Sequence, residues 1–313
     1  MTSPNPYVFL VGCPRSGTTL LQRLTDAHAE LAITPETHWI ARYFERRKGL
    51  TPEGWVTRKL VRKLLAYHKF AYLGIGKPEL EELLRAERPT TFANFVSRLF
   101  DLYGKAQGKR LVGDKTPAYA RHLPTLHDLW PGARFIHLIR DGRDVCLSAI
   151  NWQKPGKLLT RPATWAEDRV TTAALWWEWH VRLAREGGRD LGPDLYWELR
   201  YEALVARPAE ACAGLCAFLG LPYEPAMLRF HERPARADQP LHPWSPVTAG
   251  LRDWRTQMPP RDVERFEAAA GDLLDELGYP RACPRPRPEI QHSLTPIKEA
   301  WNRDIPRRGD WLP

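Results

Sequence analysis

The sequence predicts an α/β fold, a single domain in which a central parallel sheet carries helices on both faces. Three observations predict it. A glycine-bearing loop near the N-terminus separates a short apolar run from a helical pattern, and the same strand-to-helix succession recurs twice further along. The chain also has 313 residues, 43% hydrophobic and 27% charged, which is enough to bury a large core without disulfides or repeats.

The first unit opens at residues 7–11 (YVFLV), a β-branched and aromatic run that suits a buried strand. GCPRSGTT follows, and Leu20, Leu21, Leu24 and Ala27 then recur at helical spacing. From about residue 40 to 103 the pattern is mostly helical, rich in Arg and Lys, with Trp55, Tyr67, Phe70, Tyr72, Phe92 and Phe95 interleaved. A crossover does not need that length. Residues 40–110 are therefore expected to form a helical insertion over the carboxyl edge of the sheet that shapes a ligand pocket, with a plain packing layer as the alternative.

The second unit is RFIHLIRDGRDVCLSAI, where residues 135–139 read as a buried strand, Asp141 and Gly142 punctuate the turn, and a helix starts near Arg143. Trp165, Trp176, Trp177 and Trp179 lie in a helical block over 163–185 and are expected in the core. The third unit begins at Leu195, turns near Pro208 and continues as an amphipathic helix ending at Gly220. After Tyr279 the prolines of RACPRPRPEIQHSLTP disfavour regular helix, so residues 280–313 are expected as an extended Pro-rich tail packed on a domain of residues 1–279.

Lys and Arg number 46 against 37 Asp and Glu, a formal charge of +9 that suits an anionic ligand, a nucleic acid or an acidic surface without selecting one. No apolar stretch reaches the roughly 18 to 20 residues of a membrane span, and no basic segment with a cleavage site precedes residue 7. The five cysteines are an odd, scattered set without a second ligand pair for zinc, which fits reduced thiols in a cytoplasm.

Gly12 and Gly17 stand five apart, as in the phosphate loop G-x-x-x-x-G-K-[ST], after a strand and at the start of a helix. Backbone amides around residues 15–19 can cradle an anion there. Thr18 occupies the lysine position of a nucleoside triphosphatase, so a ligand less charged than ATP is expected, with Arg15 in partial compensation. No acidic partner for magnesium is evident, which argues against metal-dependent phosphoryl transfer.

Gly12-Cys13-Pro14-Arg15-Ser16-Gly17-Thr18-Thr19 resembles the 5′-phosphosulfate loop of the sulfotransferases that use 3′-phosphoadenosine 5′-phosphosulfate (PAPS). The segment 134–148 (RFIHLIRDGRDVCLS) resembles the 3′-phosphate motif of the same family. The resemblance implies that Arg15, Ser16, Gly17, Thr18 and Thr19 hold the 5′ end and that Arg140 and Ser148 hold the 3′-phosphate. An always-charged forked guanidinium and a short hydroxyl donor suit a phosphate in their own right. A salt bridge from Arg140 to Asp141 or Asp144 is the alternative. Gly142 stands where the family commonly has proline.

Tyr201-Glu202-Ala203-Leu204-Val205 is similar to the family's YEDLV segment, which implies Tyr201 near the adenine; a buried hydroxyl at a strand end is the competing reading. WSPVTAGLRDWRTQM resembles the loop that closes over the nucleotide and makes Ser245 and Arg252 candidates, with Asp253 in place of the usual basic residue before the Trp.

Sulfuryl transfer depends on positioning, electrostatics and a base for the acceptor proton. In ITPETHWI the resemblance to the family's Glu-based branch, which includes protein-tyrosine and bacterial sulfotransferases, implies Glu36 as that base. His38 is the second candidate, as other members use a histidine, and a helix-capping role for Thr34 and Glu36 is the third reading. Burial raises and Arg15 lowers the Glu36 pKa. Lys115 in GDKTP resembles the family's lysine that contacts the transferring group, and an ion pair with Asp114 is the alternative.

The expected function is sulfuryl transfer from PAPS, releasing PAP and needing no metal, to a hydroxyl of a small-molecule acceptor, with an amine as second choice, no nucleic-acid partner and no membrane span. Two other classes compete. An ATP-dependent kinase on the same loop requires magnesium, and a non-catalytic nucleotide- or RNA-binding protein shows binding that collapses with salt.

Overall fold

A computed structural model describes residues 6–86, 89–151, 163–233, 246–248, 250 and 252–304. Five strands run parallel in the order β2-β3-β1-β4-β5: β1 (Val8–Gly12), β2 (Leu31–Thr34), β3 (Leu111–Lys115), β4 (Arg134–Ile139) and β5 (Tyr196–Arg200). β1 is central, with β3 on one side and β4 on the other. That divergence is the topological switch at which open α/β sheets bind ligands beyond their carboxyl ends.

The strand alternation builds two cores. Tyr7, Phe9, Val11, Ala32 and Phe135 face one side, and Val8, Leu10, Ile33, Ile136, Leu138 and Leu199 the other. The second side is covered by α1 (Thr18–Asp26), which follows β1, and later by α10 (Tyr201–Ala206) and α11 (Pro208–Leu219), which ends on the left-handed Gly220. The first side is covered by α2 (Trp39–Glu45), α3 (Arg58–Leu65), α4 (Lys77–Ala86), α5 (Phe92–Ala106) and α6 (Leu123–Leu129). Of the aromatic residues in this insertion, Phe70, Phe92 and Phe95 are buried in the core, and Trp55 and Tyr72 are exposed.

β4 leads into α7 (Gly142–Ile150). The short α8 (Thr164–Glu167) and the long α9 (Arg169–Leu191) pack with α13 (Pro260–Glu276) into a third cluster that holds Trp165 and the fully buried Trp177. Trp177 and Phe266 explain Gly142: a Cβ there would fall 2.5 Å from the Trp177 ring and 2.6 Å from Phe266. No proline fits that space.

The C-terminal segment corrects the expectation of an extended tail. Residues Pro288–Asp304 form a helix, α14, after a short α12 (Trp254–Gln257) and α13. Ile290, Leu294, Ile297 and Trp301 fall on one face, are buried, and pack it on α9, α13 and α8. Pro288 opens the helix, where its missing N–H costs nothing, and Pro296 lies on the exposed side opposite that stripe. All five cysteines are free thiols. No described helix is long and apolar enough to cross a membrane.

Candidate active site

Each strand delivers one part of the site from its carboxyl end. The loop after β1 and the first turn of α1 carry Arg15 to Thr19. Gly17 has φ 95°, a left-handed conformation, and a Cβ there would fall 2.5 Å from the ring of Tyr201. Arg15 is also left-handed, at φ 77°, which costs a non-glycine residue on the order of 1 kcal/mol and has to be held by its surroundings. Its Nε donates to Ser148 Oγ at 3.1 Å. Thr18 is buried and Thr19 half-buried at the start of α1.

Arg140 follows β4 directly. Its guanidinium lies 4.1 Å from the Tyr201 ring centroid, and Tyr201 follows β5 directly. Ser148 is on α7, two turns beyond Arg140. These contacts close a circle from Ser148 to Arg15, through the loop to Gly17, to Tyr201 and to Arg140. Arg140 meets Asp144 at 3.6 Å, too long for a hydrogen bond, and its buried Nε has no partner. Ser16 Oγ is buried without one as well. Loss of solvent, then the like charges of Arg252 and Arg140, pull the Arg15 pKa below its ordinary value. Arg140 Nε and Ser16 Oγ are thus buried donors without a partner beside the Arg15 guanidinium, which is an arrangement suited to phosphate groups. Asp141, the other predicted partner of Arg140, is taken by buried Arg143, at 2.7 Å.

Arg252 is exposed. Asp253, found where a basic residue was expected, caps α12 by accepting from the Arg255 N–H at 3.0 Å. Trp254 anchors that segment: its backbone N–H donates to Asp144 and its indole N–H to Asp141, at 2.9 and 3.0 Å. Ser245 lies outside the described residues.

Glu36, Lys115 and His38 meet on the other side of the loop. Lys115, the last residue of β3, places Nζ 2.5 Å from Glu36 Oε1, so it pairs with Glu36 rather than Asp114. His38 Nε2 and Lys69 Nζ stand 2.9 and 3.3 Å from Glu36 Oε2. Burial raises the Glu36 pKa, but Lys115, His38 and Lys69 outweigh it and hold the carboxyl well below the ordinary value. Burial lowers His38, so both candidates occupy their proton-accepting forms at neutral pH. Thr34 ends β2 and donates to buried Asp114 at 2.9 Å, and α2 starts beyond the left-handed His38, so Thr34 and Glu36 do not cap a helix.

Sequence reasoning missed Lys69. It precedes the 3₁₀ turn Phe70–Leu73 in the insertion, and no local motif marks a side chain that reaches a carboxylate 33 residues earlier. No described residues form a cluster of three or more His, Cys, Asp or Glu able to hold a metal.

A sequence profile of the sulfotransferase family matches residues 6–225, which includes every strand above. The chain belongs to that family. Its members take a sulfuryl group from PAPS and release PAP. A protein-tyrosine sulfotransferase of Drosophila melanogaster is 26% identical over 310 residues, covering 94% of this chain and 56% of the fly protein, so the chain spans about half of that relative's length. The nodulation protein NoeE of Sinorhizobium fredii is 29% identical over 311 residues, 91% of this chain and 69% of NoeE. Among solved structures, the sulfotransferase domain from the curacin biosynthetic pathway superposes with a TM-score of 0.63 at 21% identity, over 89% of this chain and 99% of that one, a likeness of fold.

Proposed function

We propose that the protein transfers the sulfuryl group of PAPS to a hydroxyl of a small-molecule acceptor, with Glu36 taking the acceptor's proton. One observation carries the reading: a single edge of the sheet gathers a guanidinium-lined circle, centred on Arg15, Arg140, Ser148 and Tyr201, on one side of the glycine loop, and a carboxylate between two lysines on the other. When bound, PAPS supplies an activated sulfuryl group and a bisphosphate leaving group.

The loop amides with Ser16, Thr18 and Thr19 hold the 5′ end, Arg140 and Ser148 the 3′-phosphate, and the Tyr201 ring the base, with Arg252 at the mouth. Lys115 and Arg15 offset charge that grows on the sulfuryl oxygens and the leaving group. Lys115 cannot fully serve those oxygens and Glu36 together. As it turns toward the donor it releases Glu36 Oε1, and the carboxylate gains basicity when an acceptor proton has to be taken. Glu36 is 27% exposed, and Lys69 reaches it from the insertion, so a hydroxyl on a compact acceptor can enter past Lys69. The names of the fly and vertebrate relatives favour a second reading, in which the acceptor is a peptidyl tyrosine.

Release of PAP from PAPS with 2-naphthol, a monosaccharide and a tyrosine-containing peptide as acceptors tests both points. Glu36→Gln is expected to lower turnover at least about 100-fold, the scale of a lost general base, while PAP affinity stays within about twofold. Retained turnover moves the role to His38. Turnover with the peptide alone overturns the small-molecule acceptor.

A further inference from the structure

We infer that Tyr119, through its hydroxyl bonds to Thr37 and to the first turn of α2, is a positioning residue that fixes the Glu36 carboxylate against Lys115. The inference rests on Glu36 as base. Residues 35–38 form no helix or strand, yet they carry both candidate bases, and His38 within them is held at φ 49°. A buried non-glycine residue in the left-handed region needs external restraint. Contacts at Thr37, the residue between the two bases, supply it. Its backbone N–H donates to Thr116 Oγ1 at 3.0 Å, and its hydroxyl lies 2.7 Å from the Tyr119 hydroxyl. The Ile40 N–H, one of the first-turn donors that a helix leaves without an internal partner, donates to the same phenol oxygen at 3.0 Å. Either hydroxyl of the Thr37–Tyr119 pair can be the donor, and the phenol oxygen accepts from Ile40 in both cases.

Thr116 and Tyr119 belong to the turn immediately after Lys115. Three hydrogen bonds therefore tie the segment bearing Glu36 to the segment bearing Lys115, across 79 to 82 residues of sequence. Tyr119 is 1% exposed, with its ring edge-on to Phe9. The described hydrogen bonds of its hydroxyl go to Thr37 and Ile40 and not to Glu36 or Lys115, so it acts through Thr37 and not on the reacting atoms. Burial, then the nearby Asp114, push its phenol well above the ordinary value, so it remains a hydroxyl at every pH of interest.

Tyr119→Phe keeps the ring and removes the hydroxyl. With PAPS and 2-naphthol, kcat is expected to fall about tenfold or more while KM for PAPS and PAP affinity stay within about twofold, a split that general loss of structure does not produce. Independently of any acceptor, the His38 ring signals, assigned by NMR against His38→Asn, are expected to titrate nearer the ordinary histidine value in Tyr119→Phe, because the released segment admits water. Thr37→Val should reproduce both effects and Thr37→Ser should restore them, which keeps the test decisive if Tyr119→Phe fails to fold. A His38 titration and kcat unchanged from wild type overturn the inference, as does PAP affinity falling in parallel with kcat. If 2-naphthol is not turned over, the titration decides alone. If Glu36→Gln retains turnover, the base assignment fails instead, whatever Tyr119→Phe does.

Discussion

Asp114 illustrates at the residue scale how the site is held at a cost in stability. It is fully buried between Lys115 and the threonines of the base segment, and burial, opposed by the hydroxyls of Thr116, Thr34 and Thr37, pushes its pKa up to about 6. A carboxyl whose folded pKa lies above its unfolded one favours folding most below the unfolded pKa, near 4, and loses that contribution as pH rises through 6. Asp114→Asn does not titrate. Between pH 4 and 7 the wild type is therefore expected to lose about 2 kcal/mol of unfolding free energy relative to Asp114→Asn, read from urea denaturation at the two pH values. A constant difference, or one of opposite sign, contradicts the placement of this carboxylate. Glu36 runs the other way, since its lysine partners keep it ionised, and its carboxylate form persists below the ordinary pKa. Glu36, Lys115, Arg140 and Tyr201 were readable because each stands at or within two residues of a strand end inside a recognisable pattern. The contacts of Lys69, Thr37 and Tyr119 were not, because they form only where the insertion and the turn after β3 close on residues 35–38.

Whole elements were legible where strand length and helical period agreed. β1 with α1, β4 with α7, and β5 with α11 follow the apolar patterns of the sequence. β2 escaped notice because Leu31–Thr34 is four residues long and runs straight into Pro35, a combination that also imitates a helix start. α14 was hidden by its prolines, although Ile290, Leu294, Ile297 and Trp301 hold the period of an amphipathic helix. Burial of that stripe outweighed the penalty of Pro296, which the exposed side of the helix absorbs. Trp301 is 3% exposed and packs edge-on to Trp179. Trp301→Ala is expected to cost about 3 kcal/mol in urea denaturation, the range for truncating a buried aromatic side chain. A change below about 1 kcal/mol would place α14 off the core.

For the molecule as a whole, strand order turns sequence position into function. Because β1 lies between β3 and β4, its loop separates Arg140 after β4 and Ser148 on α7 from Glu36 after β2, Lys115 at the end of β3 and Lys69 of the insertion. The net charge of +9 acquires meaning through this layout, as Arg15, Arg140 and Arg252 gather where a dianion can lie and Glu36 faces the opposite side. The loop lacks the lysine that grips a triphosphate, and the proposed function assigns Arg140 and Ser148, which border the loop through Tyr201 and Arg15, to a second phosphate. Isothermal titration calorimetry with PAP and with ATP, each with and without magnesium, tests this arrangement most directly. PAP is expected to bind more tightly than ATP, without dependence on magnesium, and Arg140→Ala is expected to weaken it by about 10- to 100-fold, as for a lost charge-assisted hydrogen bond. Tighter binding of magnesium-ATP than of PAP, or PAP affinity indifferent to Arg140, would contradict it.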